Sequence, residues 1–162
     1  MIEVERKYLV KDGTYKDRAY AVSHIRQGYI CTEHGRTVRV RLRDDHAYLT
    51  IKGPSHDGGL SRYEFEKEIS IEDGEALMTL CVSTIIDKHR WLVREGTCTI
   101  EVDEFHGDNE GLVIAEIENP DGNVTASFLG EDVTGDPRYY NSFISMNPYK
   151  TWKGQARTQP PT

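Results

Sequence analysis

Apolar and polar positions alternate along most of this chain. Eight segments show the alternation or are rich in β-branched and aromatic residues: 3–10 (EVERKYLV), 24–31 (HIRQGYIC), 36–43 (RTVRVRLR), 46–53 (HAYLTIKG), 61–70 (SRYEFEKEIS), 85–93 (IIDKHRWLV), 97–105 (TCTIEVDEF) and 112–118 (LVIAEIE). Period-two patterning of this length predicts strands. Short turn signals, such as Asp44-Asp45, Glu95-Gly96 and the run 107–111, join several of them, so neighbours linked this tightly are antiparallel. Helical spacing is rarer. Ala76, Leu77, Leu80 and Cys81 fall on one stripe of a helix over 72–82, and short helices are expected over 122–129 and 139–146. The polar, Pro-containing stretch 150–162 reads as a loose end. With no repeat and no linker to divide it, the chain reads as one domain over 1–147 with a tail over 148–162.

The sign of the charges changes this picture. In a strand, residues i, i+2 and i+4 share a face. Glu3, Glu5 and Lys7 therefore point together, as do Arg39, Arg41 and Arg43 against Val38, Val40 and Leu42. Lys52 opposes Ile51; Arg62, Glu64, Glu66 and Glu68 align; Lys88 aligns with Arg90, Glu101 with Asp103, and Glu116 with Glu118. An open sheet with one wet face also alternates, and for any single strand that is the commoner cause. Solvation does not account for segregation by sign. Like charges about 4 Å apart repel by roughly 4 kcal/mol at an effective dielectric near 20, so an arginine row favours an anion opposite it and carboxylate pairs favour a cation. Both demands are met in an α+β fold in which eight antiparallel strands close into a β-barrel, charged faces inward and helices over part of the apolar exterior. Eight strands leave an interior wide enough for side chains and one small ligand.

Composition limits what that ligand and its context are. At 162 residues and 18.5 kDa the chain fits one domain, and its formal charge of −7 argues against nucleic acid or a membrane surface as partner. Cys31, Cys81 and Cys98 are odd in number and show no metal-ligand spacing, which fits a reducing cytoplasm. Neither a leader nor an apolar run of membrane-spanning length is expected. The six histidines lack ligand spacing and read as surface or loop residues, and the glycine-rich run 53–59 lacks a phosphate-loop pattern and reads as a connection at the barrel mouth. A linear polyphosphate satisfies the charge pattern. Lys7, Arg39, Arg41, Lys52, Lys88 and Arg90 would meet its oxygens, and Glu3, Glu5, Glu116 and Glu118 would hold the hard divalent cation that accompanies it.

The ordered set ExExK (Glu3, Glu5, Lys7), IRQGYI, TVRVRL, TIKG, RYEFEKEI, DKHRW, VDEF and AEIE resembles the CYTH superfamily of triphosphate tunnel metalloenzymes, from residue 2 to about residue 145. The resemblance implies an eight-stranded tunnel that takes a small-molecule triphosphate with Mg²⁺ or Mn²⁺. It is nearest the short bacterial members, which hydrolyse inorganic tripolyphosphate to pyrophosphate and phosphate. It implies catalytic roles for Lys52, set among other cations, and for Tyr29, which resembles the tyrosine that partners this lysine, although spacing alone makes Tyr29 a wall-filling aromatic. Glu64, Glu66, Glu101 and Asp103 are expected to serve a second metal or to position water. Family members are often homodimers, and in some the C-terminal helix plugs one end of the tunnel. The alternatives are a nucleoside or thiamine triphosphatase, an adenylyl cyclase, disfavoured because only Met1 and Ile2 precede ExExK, and a non-catalytic module that binds polyphosphate or nucleotide.

Overall fold

The computed structural model of the protein describes residues 2–59, 61–120 and 124–152. The elements run β1 (Ile2–Val10), α1 (Tyr15–Arg18), β2 (Ala19–Cys31), β3 (Thr37–Arg43), β4 (His46–Lys52), β5 (Ser61–Ile69), α2 (Ile71–Met78), β6 (Ile86–Glu95), β7 (Cys98–Phe105), β8 (Val113–Glu118), β9 (Leu129–Asp132) and α3 (Asn141–Met146). The sheet order is β5-β4-β3-β2-β6-β7-β8-β1-β9, and a β5–β1 pairing closes the first eight strands into an antiparallel barrel with β9 outside it. This is the barrel the alternation predicts. β1 completes the ring by pairing Ile2 and Val4 with Tyr63 and Ser61 of β5, then pairs Tyr8 and Val10 with β9. Beside this seam Gly135, at φ +82°, presses on the β4–β5 connection so closely that a Cβ would stand 2.1 Å from the Gly58 carbonyl oxygen. No helix among the described residues is long and apolar enough to cross a membrane.

Several elements differ from expectation. β2 starts at Ala19, five residues before the predicted 24, and α1 has no sequence signature. The helix expected over 122–129 is absent where the chain is described: Val124, Ala126 and Phe128, at every second position, pack on the outer apolar cluster, and Leu129 opens β9. Residues 122 and 123 lie outside the described residues. α2 ends at Met78, after which Thr79, Leu80 and Cys81 make i→i+3 backbone bonds to Ala76, Leu77 and Met78, and Leu80 and Val82 stay exposed. Its buried contact is Gly74, where a Cβ would come within 2.7 Å of the Ala47 Cβ. Nor is the chain loose from residue 148: Tyr149–Thr151 forms a 3-10 turn and Trp152 is buried, while 153–162 fall outside the described residues.

Two apolar clusters explain the architecture. Val10, Tyr15, Val93, Ile100, Val102, Ala115, Ile117 and Phe128 form the outer one, on the barrel wall beneath α1 and the segment before β9. The second contains Leu9, Ile86, Phe105 and Ile114, which have the same strand parity as Lys7, Lys88, Asp103 and Glu116. Each inward-facing row therefore passes from charged to apolar toward one end of the barrel. There α3, Tyr139 and Trp152 join the cluster and form a floor, with Trp152 meeting the Tyr139, Phe143 and Tyr149 rings edge-on.

Candidate active site

Above this floor the barrel encloses a cavity of about 230 Å³ with no aliphatic side chain among its lining residues. Arg39, Arg41 and Arg43 of β3, Lys52 of β4, Arg62 of β5, Arg90 of β6 and Lys7 of β1 supply its positive charge. Glu5, Glu116, Glu118 and Glu101 stand on the β1–β8–β7 wall, Glu64 and Glu66 on β5, and Tyr140, Asn141 and Ser142 enter from α3 and its N-cap. A second cavity, lined by Thr97, Cys98 and Thr99, shares Glu101 and Glu118 with the first and lies toward the start of β7, away from the floor.

The basic wall is buried and only partly satisfied. Arg39 donates to Thr50 Oγ1 at 3.1 Å and stands 3.7 Å from Glu66, but its Nε has no hydrogen-bond partner. Arg41 Nε donates to the neutral Gln27 Oε1 at 2.8 Å. Burial, with Arg39 and Arg90 nearby, pushes the Arg41 guanidinium down to about 9. A buried guanidinium beside two others and an orphaned N–H are what an arriving anion would repair.

The acidic wall shows the complementary defect. Burial and the adjacent Glu116 carboxylate push Glu5 up to about 9, and the two carboxyls are hydrogen-bonded. Glu116, despite burial, lies well below the ordinary carboxylate range because Lys7, 3.6 Å away, and the Glu5 proton stabilise its charge. Two glutamates thus share one proton where the same hard oxygens suit a divalent cation. Among the described residues no group of three His, Cys, Asp or Glu side chains is gathered closely enough to hold a metal. The Glu3 side chain lies outside the described residues.

Lys88 and Asp103 do not line the cavity. Lys88, fully buried, donates to Asp103 Oδ2 at 2.6 Å and to Asn141 Oδ1 at 2.9 Å. Asp103 also accepts from Arg90 Nε at 2.7 Å and Nη2 at 2.9 Å, while Arg90 Nη1 stands 3.2 Å from Glu101. Burial opposes the Asp103 charge, but Arg90 and Lys88 outweigh it and hold the carboxyl down to about 2; burial pushes Lys88 down to about 7. This trio therefore fixes Arg90 from behind the wall.

The structure brings Glu5, Lys7, Tyr29, Arg39, Arg41, Lys52, Glu64, Glu66, Arg90, Glu101, Glu116 and Glu118 to one cavity. Of the four carboxylates expected to serve a second metal or water, each already faces a cation or hydroxyl: Glu64 lies 3.8 Å from Lys52, and Glu66 accepts from Thr50 Oγ1 at 2.8 Å. Tyr29 is held by the loop after α2, its N–H donating to Ser83 Oγ and its carbonyl accepting from Val82 N, both at 2.9 Å. Sequence reasoning missed Gln27, although its parity with Tyr29 was a usable signal. Tyr140 and Asn141 resemble in sequence the family's C-terminal helix, but no role in the site was assigned to them. Sequence reasoning also took the histidines as scattered, whereas His24, His89 and His106 gather on β2, β6 and the residue following β7, with His89 Nδ1 2.7 Å from His106 Nε2.

A closed antiparallel barrel whose lumen sets arginines against paired glutamates is the architecture of a triphosphate tunnel. Residues 1–123 match the CYTH domain family, and the chain belongs to it. It is 48% identical over 155 residues to an inorganic triphosphatase of Acetivibrio thermocellus, covering 93% of this chain and 97% of that protein. An inorganic triphosphatase of Nitrosomonas europaea is 30% identical over 155 residues, covering 91% of this chain and 99% of the relative. Among solved structures, the crystal structure of an inorganic triphosphatase superposes with a TM-score of 0.62 at 25% identity, covering 89% of this chain and 94% of that one.

Proposed function

We propose that the protein is a hydrolase that cleaves inorganic tripolyphosphate to pyrophosphate and phosphate with the help of a divalent cation. The observation that carries this reading is that one cavity is lined by a buried arginine row, with the Arg39 Nε unpartnered, and by Glu5, Glu116 and Glu118. Arg39, Arg41, Lys52, Lys7 and Arg90 bind the phosphate oxygens, Arg90 being aimed by Asp103. Glu5, Glu116 and Glu118 hold Mg²⁺ or Mn²⁺, with Glu3 as the further sequence candidate. Bound there, the cation would neutralise charge on the phosphate chain and polarise its oxygens. Lys52 and Tyr29 orient the water that adds to the terminal phosphorus as the anhydride oxygen leaves with pyrophosphate.

The cavity offers no aliphatic surface for a base. Its Tyr140 ring is engaged by Lys7 Nζ, 4.8 Å from the centroid. These features favour the inorganic chain over a nucleotide or thiamine ester. Free Cys31, Cys81 and Cys98 support a cytoplasmic setting.

The test is phosphate release from tripolyphosphate, ATP, thiamine triphosphate and pyrophosphate under Mg²⁺ and Mn²⁺, with cyclic AMP followed in parallel. Tripolyphosphate is expected to give the highest kcat/KM and no cyclic AMP to form. A preference for ATP would overturn the substrate assignment, and tight binding without turnover would make the protein a binding module.

A further inference from the structure

Six side chains from four strands and one helix form an unbroken hydrogen-bonded chain around the cavity floor. Arg41 Nε donates to Gln27 Oε1 at 2.8 Å; Gln27 Nε2 donates to Asn141 Oδ1 at 3.1 Å; Lys88 Nζ reaches the same oxygen at 2.9 Å and Asp103 Oδ2 at 2.6 Å; Asp103 grips Arg90 through two bonds. Gln27 and Lys88 are fully buried and Asp103 nearly so. The two cavity-facing arginines are thus joined through one atom, the side-chain oxygen of Asn141, which belongs to α3 and not to the barrel.

We infer that Asn141 is a positioning residue: by accepting from Gln27 and Lys88 at once, its side chain sets the directions of Arg41 and Arg90 and couples docking of the C-terminal helix to phosphate binding. Three physical points support this. Two donors on Oδ1 fix which end of the amide is oxygen, so the side chain has one orientation. Gln27 is an ambivalent relay: it can present its oxygen to Arg41 only while its NH₂ group has an acceptor, and Asn141 supplies that acceptor. Asp103 serves both Lys88 and Arg90, so a lysine that lost Asn141 would compete more strongly for the carboxylate that aims Arg90. Without Asn141 the guanidiniums remain in the lumen but lose their fixed spacing, which matters most for a ligand with phosphates at set intervals.

This inference rests on the proposed reading of the cavity, and its test separates the two. Asn141→Leu keeps the γ-branched shape and removes the acceptor; Gln27→Met keeps an unbranched side chain and removes the relay. Affinity for tripolyphosphate is measured by calorimetry with EDTA present, so that no turnover is involved, and KM and kcat are measured with Mg²⁺. Each variant is expected to lose about 10- to 100-fold in affinity and to raise KM more than it lowers kcat. The double variant is expected to lose little more than either single one, since both break the same relay. Met146→Ala, exposed on α3, controls for the helix and is expected to match the wild type. A folded Asn141→Leu or Gln27→Met protein with wild-type affinity, or additive losses in the double variant, would overturn the inference. If Asn141→Leu fails to fold, the smaller Asn141→Ala, which also lacks the acceptor, takes its place and is read the same way. A wild type that neither binds tripolyphosphate in EDTA nor releases phosphate from it under Mg²⁺ would instead overturn the proposed function.

Discussion

Lys88 Nζ and Asp103 Oδ2 stand 2.6 Å apart on adjacent strands, the lysine wholly inaccessible and the carboxylate shared with Arg90. The pair holds charge in the interior without touching the cavity. Its energetic value is therefore that of a buried ion pair with both partners satisfied, costly to break from one side.

Asp103→Asn leaves Lys88 and Arg90 facing a neutral amide and is expected to cost roughly 3–5 kcal/mol of stability in urea unfolding at pH 7. The pH dependence has a definite sign. Because Asp103 is held down to about 2 in the folded protein, against roughly 3.9 in an unfolded chain, its contribution is present above pH 4 and is lost as pH falls toward 2. The gap between wild type and variant is expected to narrow across that window. A gap that stays constant on acidification would refute the assignment.

Arg41 lies buried with a neutral partner, so an anion should stabilise the protein through it. At a hundredfold excess over Kd, tripolyphosphate is expected to add about 2.7 kcal/mol, or roughly 5–10 °C in Tm. Arg41→Ala should abolish most of that shift while the unliganded Tm changes little. Thermal melts with and without ligand check both statements.

Glu5→Gln reproduces the neutral state that burial and Glu116 impose on the carboxyl. The fold should tolerate it, with an unchanged Tm in EDTA. Phosphate release under Mg²⁺ is expected to fall to background. Full turnover at saturating cation would remove Glu5 from the ligand set.

Trp152 buries its ring among Tyr139, Phe143 and Tyr149, and its Nε1 donates to the Asn147 carbonyl at 2.8 Å. Trp152→Ala is expected to cost roughly 3–5 kcal/mol. Ending the chain after residue 147 should cost at least as much and also loosen α3. A truncated protein with wild-type Tm would show that the domain does end there.

The inward arrangement of Arg39, Arg41 and Glu5 could be read from parity and charge sign, because both act over neighbouring residues. The closed end could have been read too: Leu9 follows Lys7, and Phe105 follows Asp103, at the same parity, so each row states where charge stops. Asn141 could not. Its partner Gln27 is 114 residues away, and a single asparagine at the head of a short helix carries no pattern that names a distant acceptor site. The helix expected over 122–129 failed because its apolar residues were weighed for helical spacing, when Val124, Ala126 and Phe128 have the period of an extended chain lying on a wall.

The floor built by α3 and Trp152 also sets the local dielectric. On that side the cavity meets packed aromatic and aliphatic side chains in place of water, so charge placed against the floor is screened less than charge placed elsewhere in the lumen.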